Sequence, residues 1–249
     1  MELNGKVVMI TGASGCIGRA TALRMAQEGA KLILCDVSEK GVESIMPQLE
    51  KLNCETMVKL FDVRDYSKAV ECVNEGIEHF GCIDALVNIA GGSAGLLNKL
   101  STFAESEPST WDFVMGINVQ GSFNCTRAVV NHMIERKSGR IILFGSIAGI
   151  GGLAGRADYS AAKGALSSFT KALAMELGQY YITVNCVSPG AIHRGDVPIS
   201  HMTYIGPEGM STGPEPVADM CVYLVSEKAW FITGQNYQVD GGRTLGSVK

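Results

Sequence analysis

Short apolar runs recur along the chain, and between them lie longer stretches whose apolar residues fall three or four apart. The runs occupy residues 6–11 (KVVMIT), 31–35 (KLILC), 56–61, 81–88, 140–146, 183–187 and 237–240. They have the length and the β-branched content of buried strands. The intervening patterns predict helices from Gly18 to Gly29 and over 38–52, 65–80, 109–136, 156–178 and 215–226. Strands that alternate with helices form parallel sheets joined by right-handed crossovers. The predicted fold class is therefore α/β: one doubly wound parallel sheet of about seven strands with helices on both faces. No linker, internal repeat or low-complexity segment divides it, so residues 1–249 read as a single domain. Residues 191–213 hold four Gly and two Pro without periodicity and read as a lid over a site.

Composition narrows the function classes. Hydrophobic residues make up 46% of the chain and charged ones 18%, as in a soluble globular protein of modest surface charge. A net charge of −4 offers no footprint for nucleic acid or an anionic membrane. No apolar run approaches the ~20 residues of a membrane-spanning helix, and the N-terminus lacks the pattern of a signal peptide. The eight cysteines form no C-x-x-C pair, and several sit inside apolar runs, which predicts free thiols in a reducing cytoplasm. The four histidines show no metal-ligand spacing, so no metal is expected.

Three stretches carry candidate chemistry. The first strand runs directly into Gly12, Ala13, Ser14, Gly15, Cys16, Ile17 and Gly18, after which a helix begins. A glycine-rich turn between strand and helix lets the backbone approach a phosphate, which the helix N–H groups and dipole then hold. The second strand ends at Asp36, about 20 residues beyond the first glycine, where a carboxylate can accept from ribose hydroxyls and repels a 2′-phosphate. Asp62, at the end of the third strand, has two readings: a contact to adenine, or a cap on the helix beginning near 65. The third stretch is 146–163. Ser146 ends a strand, and Tyr159 and Lys163 stand four apart on a predicted helix, which puts them on one face. An ammonium near a tyrosine favours the phenolate and fits it to exchange a proton with an alcohol or carbonyl. Asn118 lies amid apolar residues within a predicted helix, an unfavourable place for Asn unless its amide is used.

Taken in order, Thr11–Gly18, Asp36, Asp62 with Val63, the run 88–91, Asn118, Ser146, Tyr159 with Lys163, the run 184–190 and the run 239–242 resemble the classical short-chain dehydrogenase/reductase family across essentially the whole chain. The resemblance implies a Rossmann-type fold, NAD as cofactor, a small-molecule alcohol or ketone substrate and a homotetramer. It makes Tyr159 the acid/base. It gives Lys163 the tuning of that tyrosine and a bond to the nicotinamide ribose. Ser146 would orient the substrate oxygen, and Asn118 would hold a water in a proton relay. Gly12, Ser14, Gly15, Cys16, Ile17 and Gly18 would face the pyrophosphate, Asp36 the ribose, and Asp62 and Val63 the adenine. Asn88, Ala90, Gly91, Pro189, Gly190 and Ile192 would line the remainder.

Three positions depart from the family's pattern. The glycines follow G-x-x-G-x-x-G, the spacing of the extended branch, whereas length and the other motifs match the classical one. Ile89 follows Asn88 where Asn or Ala is usual. Arg194 replaces the threonine expected at the start of the lid, where it can grip the pyrophosphate, grip an anionic substrate group or lie in solvent. The leading expectation is an NAD(H)-dependent dehydrogenase or reductase. The alternatives are a non-catalytic NAD-binding regulatory protein and an NAD-retaining epimerase or dehydratase.

Overall fold

The structure, a computed structural model, describes residues 1–192 and 213–246. Its element order is β1 (Val7–Thr11), α1 (Cys16–Gln27), β2 (Lys31–Asp36), α2 (Glu39–Glu43), α3 (Met46–Lys51), β3 (Thr56–Leu60), α4 (Tyr66–Phe80), β4 (Ala85–Asn88), α5 (Pro108–Met115), α6 (Gly121–Arg136), β5 (Gly139–Phe144), α7 (Ala148–Gly151), α8 (Ala157–Leu177), β6 (Ile182–Pro189), α9 (Glu215–Val225) and β7 (Asn236–Val239). The seven strands form one sheet in the order β3-β2-β1-β4-β5-β6-β7, with every adjacent pair parallel. β1, β4, β5 and β6 are buried along their whole length, because helices cover both faces of the sheet. One core lies under α1, α3 and α9, with Met25, Leu49 and Val222 among its members. The other lies under α4, α6 and α8, around Val73, Val129 and Leu177. The chain order reverses between β1 and β4, so a crevice opens at the carboxyl ends of those strands.

Three predicted boundaries move. The helix expected over 38–52 is two pieces, α2 and α3, because Pro47, in the first turn of the second, has no N–H to continue the ladder back to the first. The strand expected from residue 81 starts at Ala85. Gly81 instead ends α4 with φ 84°, and the Asp84 side chain accepts from the Val7 N–H at 2.9 Å. The long helix over 109–136 is interrupted at 116–120 by a wider π turn. Within that turn Asn118 Nδ2 donates to the Val114 carbonyl at 2.8 Å, competing with the helical ladder. The lid expected over 191–213, Arg194 included, falls largely outside the described residues.

Candidate active site

The crevice is walled on one side by the turn after β1. Gly12 adopts φ 67°, and a Cβ there would stand 2.8 Å from the Ala90 backbone. A Cβ on Gly18 would stand 2.0 Å from the Gly12 carbonyl oxygen. Both glycines are thus required by close backbone approach, which draws α1 up against the turn. Gly15 is the N-cap of α1 and makes no side-chain cap bond, and the first turn of α1 has no acidic residue. The positive end of a helix dipole lies at such a start and suits an anion. Ser14 and Ile17 flank the same turn, and Cys16 is the first residue of α1.

Asp36 locks this wall to the next strand. Its Oδ2 accepts from the Ser14 N–H at 2.9 Å and its Oδ1 from the Ser38 N–H at 3.0 Å. Among the described residues no basic side chain pairs with it, and the adjoining Val37 is 71% exposed. Asp62, on the neighbouring strand end, differs. Arg64 Nε donates to both its oxygens at 3.0 Å, and this bond holds its carboxyl below the usual aspartate range. Asp62 does not cap α4; Asp65 does, accepting from the Lys68 N–H at 3.2 Å.

The other wall carries the candidate reactive groups. Lys163 is only 5% exposed, and its Nζ donates to the Phe144 carbonyl at 2.7 Å. Burial pulls its pKa down to about 8, so most of it remains charged at pH 7. The ammonium stands 5.7 Å from the centre of the Tyr159 ring, which packs against Ala94, Val114 and Ala162. Ser146 Oγ accepts from the Ala148 N–H at 3.1 Å, and Ile147 N–H donates to the Pro189 carbonyl at 3.2 Å, so the loop after β5 is pinned across β6. Asn118 is fully buried. Its Oδ1 accepts from the Gly92 N–H at 3.1 Å, and its Nδ2 donates to the Gly92 carbonyl at 2.8 Å as well as to Val114. Gly91 fits closely beside it: a Cβ there would lie 2.3 Å from Asn118 Oδ1. Asn88 Nδ2 donates to Thr126 Oγ1 at 3.1 Å, and Ala90 N–H to Thr11 Oγ1 at 3.2 Å. Gly190 N–H donates to the Val239 carbonyl at 2.9 Å, placing 189–192 at the far end of the crevice.

The predicted residues therefore gather at the carboxyl ends of β1, β2, β3, β4, β5 and β6. Sequence reasoning missed the Phe144 carbonyl, Gly92 and Arg64. A main-chain acceptor leaves no sequence signal, whereas Arg64, two residues from Asp62, was visible as a candidate ion-pair partner.

A parallel sheet whose chain order reverses beside a glycine-rich turn, with a buried lysine near a tyrosine, is the architecture of the nucleotide-binding α/β class. A profile of the short chain dehydrogenase family matches residues 6–198. The chain is 36% identical over 252 residues to a (2S)-[(R)-hydroxy(phenyl)methyl]succinyl-CoA dehydrogenase subunit of Thauera aromatica, covering 98% of this chain and 99% of that one. It is 35% identical over 255 residues to a 3-oxoacyl-[acyl-carrier-protein] reductase of Thermotoga maritima, covering 98% and 100%. Among solved structures, NAD+-bound xylitol dehydrogenase superposes with a TM-score of 0.89 at 28% identity, over 97% of this chain and 100% of that one. The chain belongs to the short-chain dehydrogenase family.

Proposed function

We propose that the protein is an NAD(H)-dependent oxidoreductase that interconverts a secondary alcohol and a ketone, with Tyr159 as general acid and base. The observation that carries this reading is the buried Lys163 ammonium, fixed by the Phe144 carbonyl and 5.7 Å from the Tyr159 ring. The bound nicotinamide would donate or accept the hydride. The residues present suit that cofactor: the uncapped start of α1 and the Gly12–Gly18 approach fit a pyrophosphate, and Asp36 fits a ribose diol. In reduction the Tyr159 hydroxyl gives its proton to the substrate oxygen; in oxidation it takes one back. Lys163 stabilises the phenolate by charge, and Ser146 Oγ orients the substrate oxygen. The amide N–H groups of Asn118 are both engaged by Gly92 and Val114. A relay water would therefore rest on its backbone oxygen, which already accepts from Ser122 Oγ at 2.7 Å and keeps a second lone pair.

NAD is favoured over NADP because no basic side chain among the described residues neutralises Asp36. The names of the relatives, a hydroxyl dehydrogenase and an oxo reductase, fit either direction of the reaction. The eight free cysteines, five of them buried, suit a reducing compartment, and we assign the protein to the cytoplasm. No described helix is long and apolar enough to cross a membrane. Phe123 on α6 and Met175 on α8 are exposed on helices whose inner faces already cover the sheet, which supports assembly into a homotetramer, testable by sedimentation at micromolar concentration. The deciding experiment on the mechanism is Tyr159→Phe. Turnover should fall by at least about 10²-fold, as for loss of a general acid, while NADH binding stays within a few-fold. Wild-type turnover in that variant would overturn the mechanism.

A further inference from the structure

α6 carries one more buried amide, outside the residues assigned above. Asn124 is 5% exposed, and its Nδ2 donates to the Val63 carbonyl at 3.0 Å and to the Arg64 carbonyl at 2.9 Å. Its Oδ1 accepts from Gln120 Nε2 at 2.8 Å. The two carbonyls, which can only accept, set the sense of the amide: both Asn124 N–H groups face the turn and its oxygen takes the Gln120 donor. The same turn is fitted to the helix by shape. A Cβ on Gly121 would lie 2.5 Å from Val63 Cγ2, so Val63 occupies a notch that only glycine leaves open. Arg64 lies over the Phe113 ring at 5.4 Å while it holds Asp62.

This turn stands beside the ribose-facing carboxylate. Asp36 is the register partner of Leu60, and Phe61 N–H donates to the Asp36 carbonyl at 3.0 Å, so residues 62–64 leave the sheet immediately next to Asp36. The turn after β3 has no strand on its outer side, since β3 is the edge of the sheet. Its depth in the crevice is set from behind, by α6.

We propose that Asn124 is a positioning residue for the adenosine half of the cofactor. It holds two successive carbonyls and so fixes where the Asp62–Val63 edge stands against the adenine ring. The inference rests on the reading above, in which that edge lines the adenine. Asn124 does not touch the reacting atoms. Its removal should loosen the adenosine end and leave the Lys163–Tyr159 pair in place, because that pair is held by Phe144 on β5.

The test uses the full chain, fluorescence titration with NADH and displacement by AMP. Asn124→Ala should weaken NADH and AMP together by about tenfold, the factor to which the net worth of one or two hydrogen bonds corresponds. A second variant excludes a mere packing defect. Gln120 is exposed, and Gln120→Glu opens no cavity. It replaces the donor used by the Asn124 oxygen with an acceptor and sets a negative charge beside that oxygen. It should weaken NADH and AMP several-fold with the melting temperature unchanged, and Gln120→Ala should do less. Wild-type affinity for both ligands in Asn124→Ala and Gln120→Glu overturns the inference and leaves the proposed function standing. So does weakened NADH with unchanged AMP, which places the defect outside the adenosine site. Failure of AMP to displace NADH from the wild type overturns the adenine reading itself.

Discussion

The two walls of the crevice are built from different materials. The wall formed by β1, α1 and β2 is almost entirely main chain. Gly12, Gly18 and the N–H groups of Ser14 and Ser38 shape it, and Asp36 adds a carboxylate. The wall formed by β4, β5 and α8 is made of side chains that main-chain carbonyls hold: Lys163 by Phe144, Asn118 by Gly92 and Val114. A main-chain wall recognises something invariant, such as a diphosphate. A side-chain wall performs chemistry and can be altered one group at a time. The glycines repeat the contrast, for Gly18 has no room for a methyl group and Gly151, at the end of α7, has no neighbour within 4 Å.

The sharpest way to break that comparison is a paired substitution. Gly18→Ala forces a carbon to within 2.0 Å of the Gly12 oxygen and should abolish NADH binding or folding, whereas Gly151→Ala should leave both unchanged. Thermal unfolding and NADH titration of the two variants decide it. Equal effects would erase the distinction between the walls.

The next largest effect concerns Lys163. Its pKa is lowered to about 8 from an ordinary value of 10.5 by burial. The unfolded chain therefore holds the proton more tightly than the folded one, and below pH 8 the buried charge opposes folding. Stability should rise as pH increases from about 8 towards 10.5, where both states become neutral. Lys163→Met should abolish turnover, yet raise the melting temperature of the cofactor-free protein at pH 7 by several degrees, at roughly 2–4 °C per kcal/mol. The gain should shrink towards pH 10. Melting curves of wild type and variant across that range test the sign.

Asp36→Ala sharpens the comparison on the opposite wall. It removes a like charge from the site of a 2′-phosphate and should narrow the preference for NADH over NADPH by about tenfold or more. The fold should be retained, since only two backbone N–H groups lose their partner. Parallel titrations with the two coenzymes provide the measurement. A native protein that binds NADPH more tightly would reverse the assignment of Asp36.

The main-chain wall was the more legible in the sequence, because it is contiguous. Gly12 to Gly18 follow a strand and precede a helix, and Asp36 ends the next strand, so spacing alone brings them together. The parallel sheet follows from alternation, and all seven strands overlap the apolar runs that predict them. Tyr159 and Lys163 were legible as a helical pair. What holds Lys163 was not, since a carbonyl belongs to every residue and marks none. The π turn at 116–120 was hidden for a related reason: helical spacing continues through it, and only the bonds of Asn118 to Val114 and Gly92 reveal the competition. The break between α2 and α3 is marked in the sequence by Pro47, although the apolar spacing across 38–52 runs on without one.

The Asn118 amide grips the Gly92 peptide on both its N–H and its carbonyl. Gly92 is the root of the segment that travels from β4 to α5, and it is clipped to a helix that its own side of the loop does not supply. Whatever follows residue 92 begins from a fixed point and a fixed direction. For protein engineering this makes the segment a cassette. Its sequence and length beyond Ala94, which packs against the Tyr159 ring, can be exchanged to admit a different substrate, while the clip holds the root of the segment in place.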